Sequence, residues 1–289
     1  MRLTMRIGIG LPGHIAHAPG PLTVDWARRA EQRGFAELAA IDRLVYESLD
    51  SVVAMSVAAG ATTDIGLTTN VLLAPLHPAT LLAKQVTTLS AASGGRLTLG
   101  LGIGSRPDDY IAVGVDYRRR GRILDESVAV LRETCDAQIV TGDRPLTPAP
   151  VRIPILFGGR ADATIRRAAA IGDGWSAGAL RDYSNQSALA DRMRMAWAEA
   201  GRVGRPRLRA SVNFTFGDAD TIAAGRAHLQ RYYGFKPDYA ALNVADMLSS
   251  PDEAAETVRA YRDLGFNELI FHPCVAELDQ IDRLADAVL

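Results

Sequence analysis

The sequence predicts an α/β fold: a single (β/α)8 barrel of the TIM type with short insertions, occupying residues 1–289 as one domain. Three observations predict it. Short apolar runs alternate with helical patterns eight times along the chain, at about 36 residues per unit, as expected of such a barrel. Ile155 to Phe157 is a short apolar run with no polar alternation, suited to a parallel strand buried on both faces. The stretch from Pro154 to Trp175 reads as strand, glycine turn, helix and strand, which is one complete repeat of that rhythm. A doubly wound open sheet is the alternative.

The elements follow in order. Residues 5–11 form the first strand, and Thr23 to Arg33 a helix with Trp26, Ala27 and Ala30 on one face, stopped by Gly34. Phe35 to Ile41 is strand two, ending at Asp42-Arg43; Asp50 to Ala59 is a helix with Val53, Val57 and neighbouring alanines inward. Ile65 to Val71 is strand three, and His77 to Ala92 a helix with Leu82, Val86 and Leu89 on one stripe. Arg96 to Gly104 is strand four, running into a polar loop around Ser105 to Asp109, before a helix over Arg118 to Thr134. Residues 136–152 carry Pro145, Pro148 and Pro150 and little periodicity, which suits an ordered excursion. Strand five opens at Pro154, its helix starts near Asp162, and strand six is Gly-Trp-Ser around Trp175. A helix over Asn185 to Ala200, an alternating strand over Arg207 to Phe216 and a longer helical region follow. Ser250-Pro251-Asp252-Glu253 is a capping box opening a helix that lasts until Gly265. Glu268 to Phe271 is strand eight, and Leu278 to Val288 the last helix.

Composition excludes several functions. The net charge is −1 with both signs spread throughout, so neither a nucleic-acid groove nor a membrane surface is expected. No run approaches spanning length and no signal-peptide pattern opens the chain, so the expected location is cytoplasmic. Cys135 and Cys274 are far apart without metal-like spacing and are expected as buried thiols. His14 and His17 have no carboxylate at ligand spacing, so no metal site is expected, and no Gly-x-Ser-x-Gly elbow occurs. Asp108 and Asp109 are adjacent, hence splayed, which suits a solvated loop or a helix cap better than paired acid catalysis.

In a barrel, residues just after the eight strands converge on one face. That face would hold His14, Asp42-Arg43, Asn70-Val71, Gly104-Ser105-Arg106, Gly158-Gly159-Arg160, Trp175, Asn213 and His272. The Gly158-Gly159 turn lets backbone approach a ligand, and the following helix, entered through Ala161, points free N–H groups at its mouth beside Arg160. A phosphate suits that turn; a plain βα turn needing glycine for packing is the other reading.

The whole pattern resembles the luciferase-like monooxygenase superfamily, and within it the branch that uses the deazaflavin coenzyme F420. The resemblance rests on Gly34 to Arg43, on His77-Pro78, on Gly94 to Gly104, on Arg120-Gly121-Arg122, on Phe157-Gly158-Gly159 through Trp175, and on Ala260 to Leu269. It implies a non-prolyl cis peptide at Asn70-Val71 backing one face of the cofactor ring, phosphate near Gly158 to Ala161, and further cofactor contacts from Gly104 and Ser105. It implies Asp42 as the acid near the ring, and a homodimer. Two departures stand out. Arg43 occupies the place of a family histidine and can bind an anion but not abstract a proton. Ser105-Arg106-Pro107 stands where sugar-phosphate-oxidising members place a glutamate. The expected function is therefore hydride transfer from reduced F420 to a small organic substrate, with Arg43 or Arg106 polarising the acceptor and His14 or Tyr110 as proton donors. The alternatives are an FMN-dependent monooxygenase using O2, and a non-catalytic cofactor-binding protein.

Overall fold

Strand seven shows why the chain closes into a barrel. Arg207, Arg209, Ser211 and Asn213 alternate with Leu208, Ala210, Val212 and Phe214, and seven of these eight residues are buried. Period-two alternation sends the polar set into the barrel interior and the apolar set against the helices. The computed structural model describes residues 5–136, 144, 146–147 and 151–289. Within it, β1 (Arg6–Gly10), β2 (Glu37–Ala40), β3 (Gly66–Thr69), β4 (Leu97–Leu101), β5 (Ile155–Gly158), β6 (Gly174–Ser176), β7 (Arg207–Phe214) and β8 (Glu268–Pro273) pair in sequence order. All pairs are parallel, and β1 on β8 closes the ring. The expected (β/α)8 fold is present.

The helices are α1 (Leu22–Gln32), α2 (Ser51–Ala61), α3 (Ala79–Ala92), α4 (Pro107–Ala112), α5 (Arg120–Cys135), α6 (Asp162–Ile171), α7 (Tyr183–Glu199), α8 (Ala219–Tyr232), α9 (Pro237–Asp246), α10 (Pro251–Asp263) and α11 (Asp279–Val288). The capping box at Ser250 and Glu253 is formed, and α6 begins at Asp162 as expected. Two expectations are corrected. On α2 the inward face is Val52, Met55 and Ala58, whereas Val53 and Val57 are 62% and 41% exposed; a helix apolar nearly all round gives no stripe from which to choose a face. The expected polar loop around Asp109 is instead helix α4, with Pro107 in its first turn, and Asp109 is buried rather than solvated because its Oδ1 accepts from Val45 N at 2.7 Å. The prolines expected to shape an ordered excursion lie outside the described residues.

At one end of the barrel the interior is ionic. Arg209 is fully buried, with Glu37 Oε2 at 2.8 Å, Glu268 Oε2 at 2.7 Å and Thr68 Oγ1 at 2.6 Å. Arg6 and Arg207 add two more guanidiniums from the rim, pairing with Glu37 and Glu268 respectively. The other end is where the strand C-termini converge. Gly8 and Gly10 of β1 have no side chains there because an added Cβ would lie 2.5 Å from Ile270 Cδ1 and from His272 Nδ1 respectively. Both Cys135 and Cys274 are buried free thiols.

Candidate functional site

The site begins at the end of β3, where Asn70-Val71 is a cis peptide. Asn70 Nδ2 donates to Ser211 Oγ at 2.7 Å and to His272 Nε2 at 3.0 Å, while its Oδ1 accepts from Ser176 Oγ at 2.8 Å. One amide thus ties β3 to β6, β7 and β8. Because His272 accepts at Nε2, its proton sits on Nδ1; burial and the neighbouring His14 and Arg209 push its pKa well below the usual value, so the ring is neutral. Val71 projects against glycines at the C-terminal ends of the next two strands: an added Cβ would lie 2.6 Å from Val71 Cγ2 at Gly102, just after β4, and 2.7 Å from Val71 Cγ1 at Gly158 in β5. Glycines here are vacated space for one valine. Above this floor opens a cavity of about 410 Å³, walled by Val71, Ser105, Arg160, Asn213, Tyr233 and His272 among others.

At one end of the cavity lies the turn after β5. Gly159 has φ of 132°, a conformation other residues rarely adopt, and its carbonyl accepts from Trp175 Nε1 at 2.7 Å. No side chain caps the start of α6 at Ala161, so its first N–H groups face the turn without a side-chain acceptor. Arg160 is exposed and lines the cavity. Together these fit a phosphate group.

Asp42 lies at a second cavity of about 320 Å³, which shares Val71, Ser105, Tyr233 and Tyr239 with the first. Its Oδ1 accepts from Ser51 Oγ at 3.0 Å and its Oδ2 from Leu73 N at 2.8 Å, with His77 Nε2 at 3.7 Å. Arg106 also lines this cavity, stacked 4.7 Å from the Tyr232 ring and 4.1 Å from Phe235, and its Nη2 donates to Tyr232 O at 2.6 Å. That carbonyl belongs to the last residue of α8, where cations are favoured.

The sequence-derived candidates therefore divide. Asn70, Val71, Gly104, Ser105, Gly158, Gly159, Arg160, Asn213 and His272 meet around the first cavity; Asp42 and Arg106 border the second. His14, Arg43, Ala161 and Trp175 line neither. His14 is buried, with Nδ1 3.0 Å from Leu11 O, edge-on to His228 and His272, and burial lowers its pKa to about 4. Arg43 folds back to stack 3.9 Å over Tyr46 and donates to Tyr232 O at 3.2 Å, so it secures α8 rather than facing the cavity. Trp175, expected on the pocket face, points the other way into the helix layer against Phe266, because it follows inward-free Gly174 in a three-residue strand and Ser176 takes the inward position. Tyr110 donates to Ile103 O and is buried. Ser176, Ser211, Tyr233 and Tyr239 were not anticipated. The alternation of β7 would have placed Ser211 beside Asn213; no local signal marks the tyrosines. Among the described residues no group of three His, Cys, Asp or Glu could hold a metal ion, and no helix is long and apolar enough to cross a membrane.

The family model described as luciferase-like monooxygenase matches residues 5–268. An uncharacterised protein of Mycobacterium tuberculosis is 37% identical over 163 residues, 51% of this chain and 54% of that protein; a second from the same organism is 32% identical over 172 residues, 56% and 60%. The chain spans about half the length of the curated relatives it matches. The 4-hydroxyprotoasukamycin monooxygenase of Streptomyces nodosus is 36% identical over 93 residues, 32% of this chain and 24% of that protein. Among solved structures, an F420-dependent secondary alcohol dehydrogenase in complex with an F420-acetone adduct superposes with a TM-score of 0.83 at 17% identity, covering 99% of this chain and 98% of that one. A monooxygenase from Streptomyces bottropensis gives 0.81 at 18% identity, covering 98% and 97%. These superpositions speak for the fold. The family match, extending over nearly the whole barrel, places this chain in the luciferase-like monooxygenase family.

Proposed function

We propose that the protein is a coenzyme F420-dependent oxidoreductase working in the reductive direction on a small organic acceptor. The carrying observation is the pair of adjoining cavities, one with a glycine-and-valine wall and a phosphate-suited turn, the other bordered by Arg106 and Asp42. Val71 would back the ring, with Gly158, Gly159 and Arg160 at the phosphate. When bound, the reduced deazaflavin supplies a hydride.

The remaining chemistry is for the chain. Alcohol oxidation needs a proton acceptor, and of the two carboxylates bordering the second cavity only Asp109 keeps an oxygen without a donor. Arg106 keeps its proton near neutrality, and both oxygens of Asp42 already accept hydrogen bonds. On the other side Tyr233, whose phenol burial pushes well above its usual pKa, holds a proton that only a strong base could take, such as an anion left after hydride addition. The likeness to an F420-dependent dehydrogenase, and to an F420-dependent tetrahydromethanopterin reductase from Methanopyrus kandleri with TM-score 0.75, supports this reading. An FMN-dependent monooxygenase is the second reading, favoured by the local identity to the Streptomyces nodosus enzyme. A homodimer belongs to the proposal, with the exposed Val53 and Val57 of α2 available to it.

The test is calorimetric titration with F420 and, separately, FMN, repeated on Arg160→Glu. Tight F420 binding with negligible FMN affinity is expected. The charge reversal should weaken F420 at least about tenfold at unchanged melting temperature, because Arg160 is exposed. FMN preference would transfer the assignment to the second reading, and binding of neither would overturn both.

A further inference from the structure

We propose that the second cavity is a carboxylate site, in which Arg106 holds the acid group of a flat organic monocarboxylate that is the substrate. This rests on the second cavity being the substrate's. Arg106 is 7% exposed and makes no ion pair with any described residue. Its Nη2 is taken by Tyr232 O, but Nη1 is buried without a partner. A buried guanidinium with an idle donor is costly, and a carboxylate is the group its fork matches. Burial, then Arg43, lowers its pKa, yet a guanidinium starts so far above neutrality that it stays charged.

Arg106 and Lys236 are the cations lining this cavity, and Asp42 and Asp109 the acids. Arg231 is excluded because it pairs with Glu47 at 2.7 Å. Lys236 is exposed, so Arg106 is the one buried cation lining the cavity, and a single buried guanidinium suits a carboxylate rather than a dianionic phosphate monoester. Asp109 adds a constraint: its Oδ1 accepts from Val45 N, while its Oδ2 is buried without a donor. A ligand carrying an O–H or N–H besides its carboxylate would satisfy both idle atoms. The walls choose the shape. Tyr232, Tyr233 and Tyr239 stand edge to face in a chain, with centroids 4.9 and 5.1 Å apart, and Phe235 closes over Arg106. Ring walls of this kind favour a planar, aromatic or conjugated body.

The experiment compares 4-hydroxybenzoate with 4-hydroxybenzamide by calorimetry on the cofactor-free and F420-loaded protein. The acid should bind at one site per chain, at least tenfold tighter than the amide, with and without F420. Arg106→Leu should erase that tenfold preference, and Arg106→Lys should retain part of it. Equal affinity of acid and amide for the unaltered protein overturns the proposal without recourse to a variant, as does a folded Arg106→Leu protein that keeps the preference. Mutually exclusive binding of the acid and F420 would assign the site to the cofactor's own carboxylates and also overturn it. Failure of F420 to bind at all, read in the separate titration, would instead overturn the functional reading on which the proposal rests.

Discussion

Replacing Gly158 by alanine tests whether the glycines of β4 and β5 exist to accommodate Val71. The new Cβ would lie 2.7 Å from Val71 Cγ1, 3.2 Å from Cγ2 and 3.5 Å from Cβ. Aliphatic carbons pack at about 3.5–4.0 Å, so the two γ carbons are too close by up to about 1 Å, whereas the Cβ contact is ordinary. Gly158 is not among the positive-φ glycines, so alanine meets no backbone penalty and the effect is steric. Overpacking of this kind costs about 1–3 kcal/mol. For a protein of this size that corresponds to a melting temperature lower by about 2–10 °C. Relief requires Val71 to move into the first cavity, so affinity for the proposed cofactor, F420, should fall as well. Val71→Ala removes the two offending carbons and leaves the tolerated one. The double variant should therefore be more stable than the sum of the single effects implies, by about 1–2 kcal/mol in a double-mutant cycle from urea denaturation. Strict additivity would refute the steric account, and so would a Gly158→Ala protein with unaltered melting and cofactor affinity.

Two further outcomes concern buried charge. Arg209→Ala leaves Glu37 and Glu268 facing each other inside the barrel and should destabilise the protein by about 3–5 kcal/mol in urea denaturation; a loss below about 1 kcal/mol would mean that the ionic end of the barrel is dispensable. Stability should also fall as pH drops from 7 to 5. Burial holds the pKa of His14 at about 4 and, with His14 and Arg231 adding to it, that of His228 at about 3, against an ordinary value of 6.5. The unfolded chain therefore takes up protons that the folded one refuses, and the contribution is fully present above pH 6.5 and lost as pH falls toward the folded values. Each histidine contributes on the order of 1 kcal/mol per pH unit in that window. Thermal melts at pH 7.5, 6 and 5 measure it, and a flat profile would contradict the assignment of neutral buried rings.

Much of the barrel was legible because its signals are local. The capping box at Ser250, the helix start at Asp162 and the buried run Ile155–Phe157 are each specified by a few adjacent residues, and each appears where expected. The convergence of Asn70, Gly158, Asn213 and His272 was legible for a related reason, since a closed parallel barrel brings all strand C-termini to one face whatever the side chains are. Where a local pattern was degenerate, expectation failed. The helix α2 is apolar nearly all round and betrays no inward face, and a three-residue strand such as Gly174–Ser176 is too short for its alternation to say that Trp175 points out and Ser176 in.

The sequence by itself determined the order of strands and helices, the barrel, the family and the strand ends from which the site is assembled. What only the tertiary structure decided is which way each charged side chain turns once there. Arg43 and Arg106 look equally available in the sequence, yet both reach the carbonyl of Tyr232 from elements more than 100 residues away, and only Arg106 also borders a cavity. Two histidines near the strand ends, His14 and His272, become part of one neutral cluster because His228, on α8, packs against His14 and burial removes the water that would favour their charge. Such choices depend on long-range packing and desolvation, and no short stretch of chain encodes either.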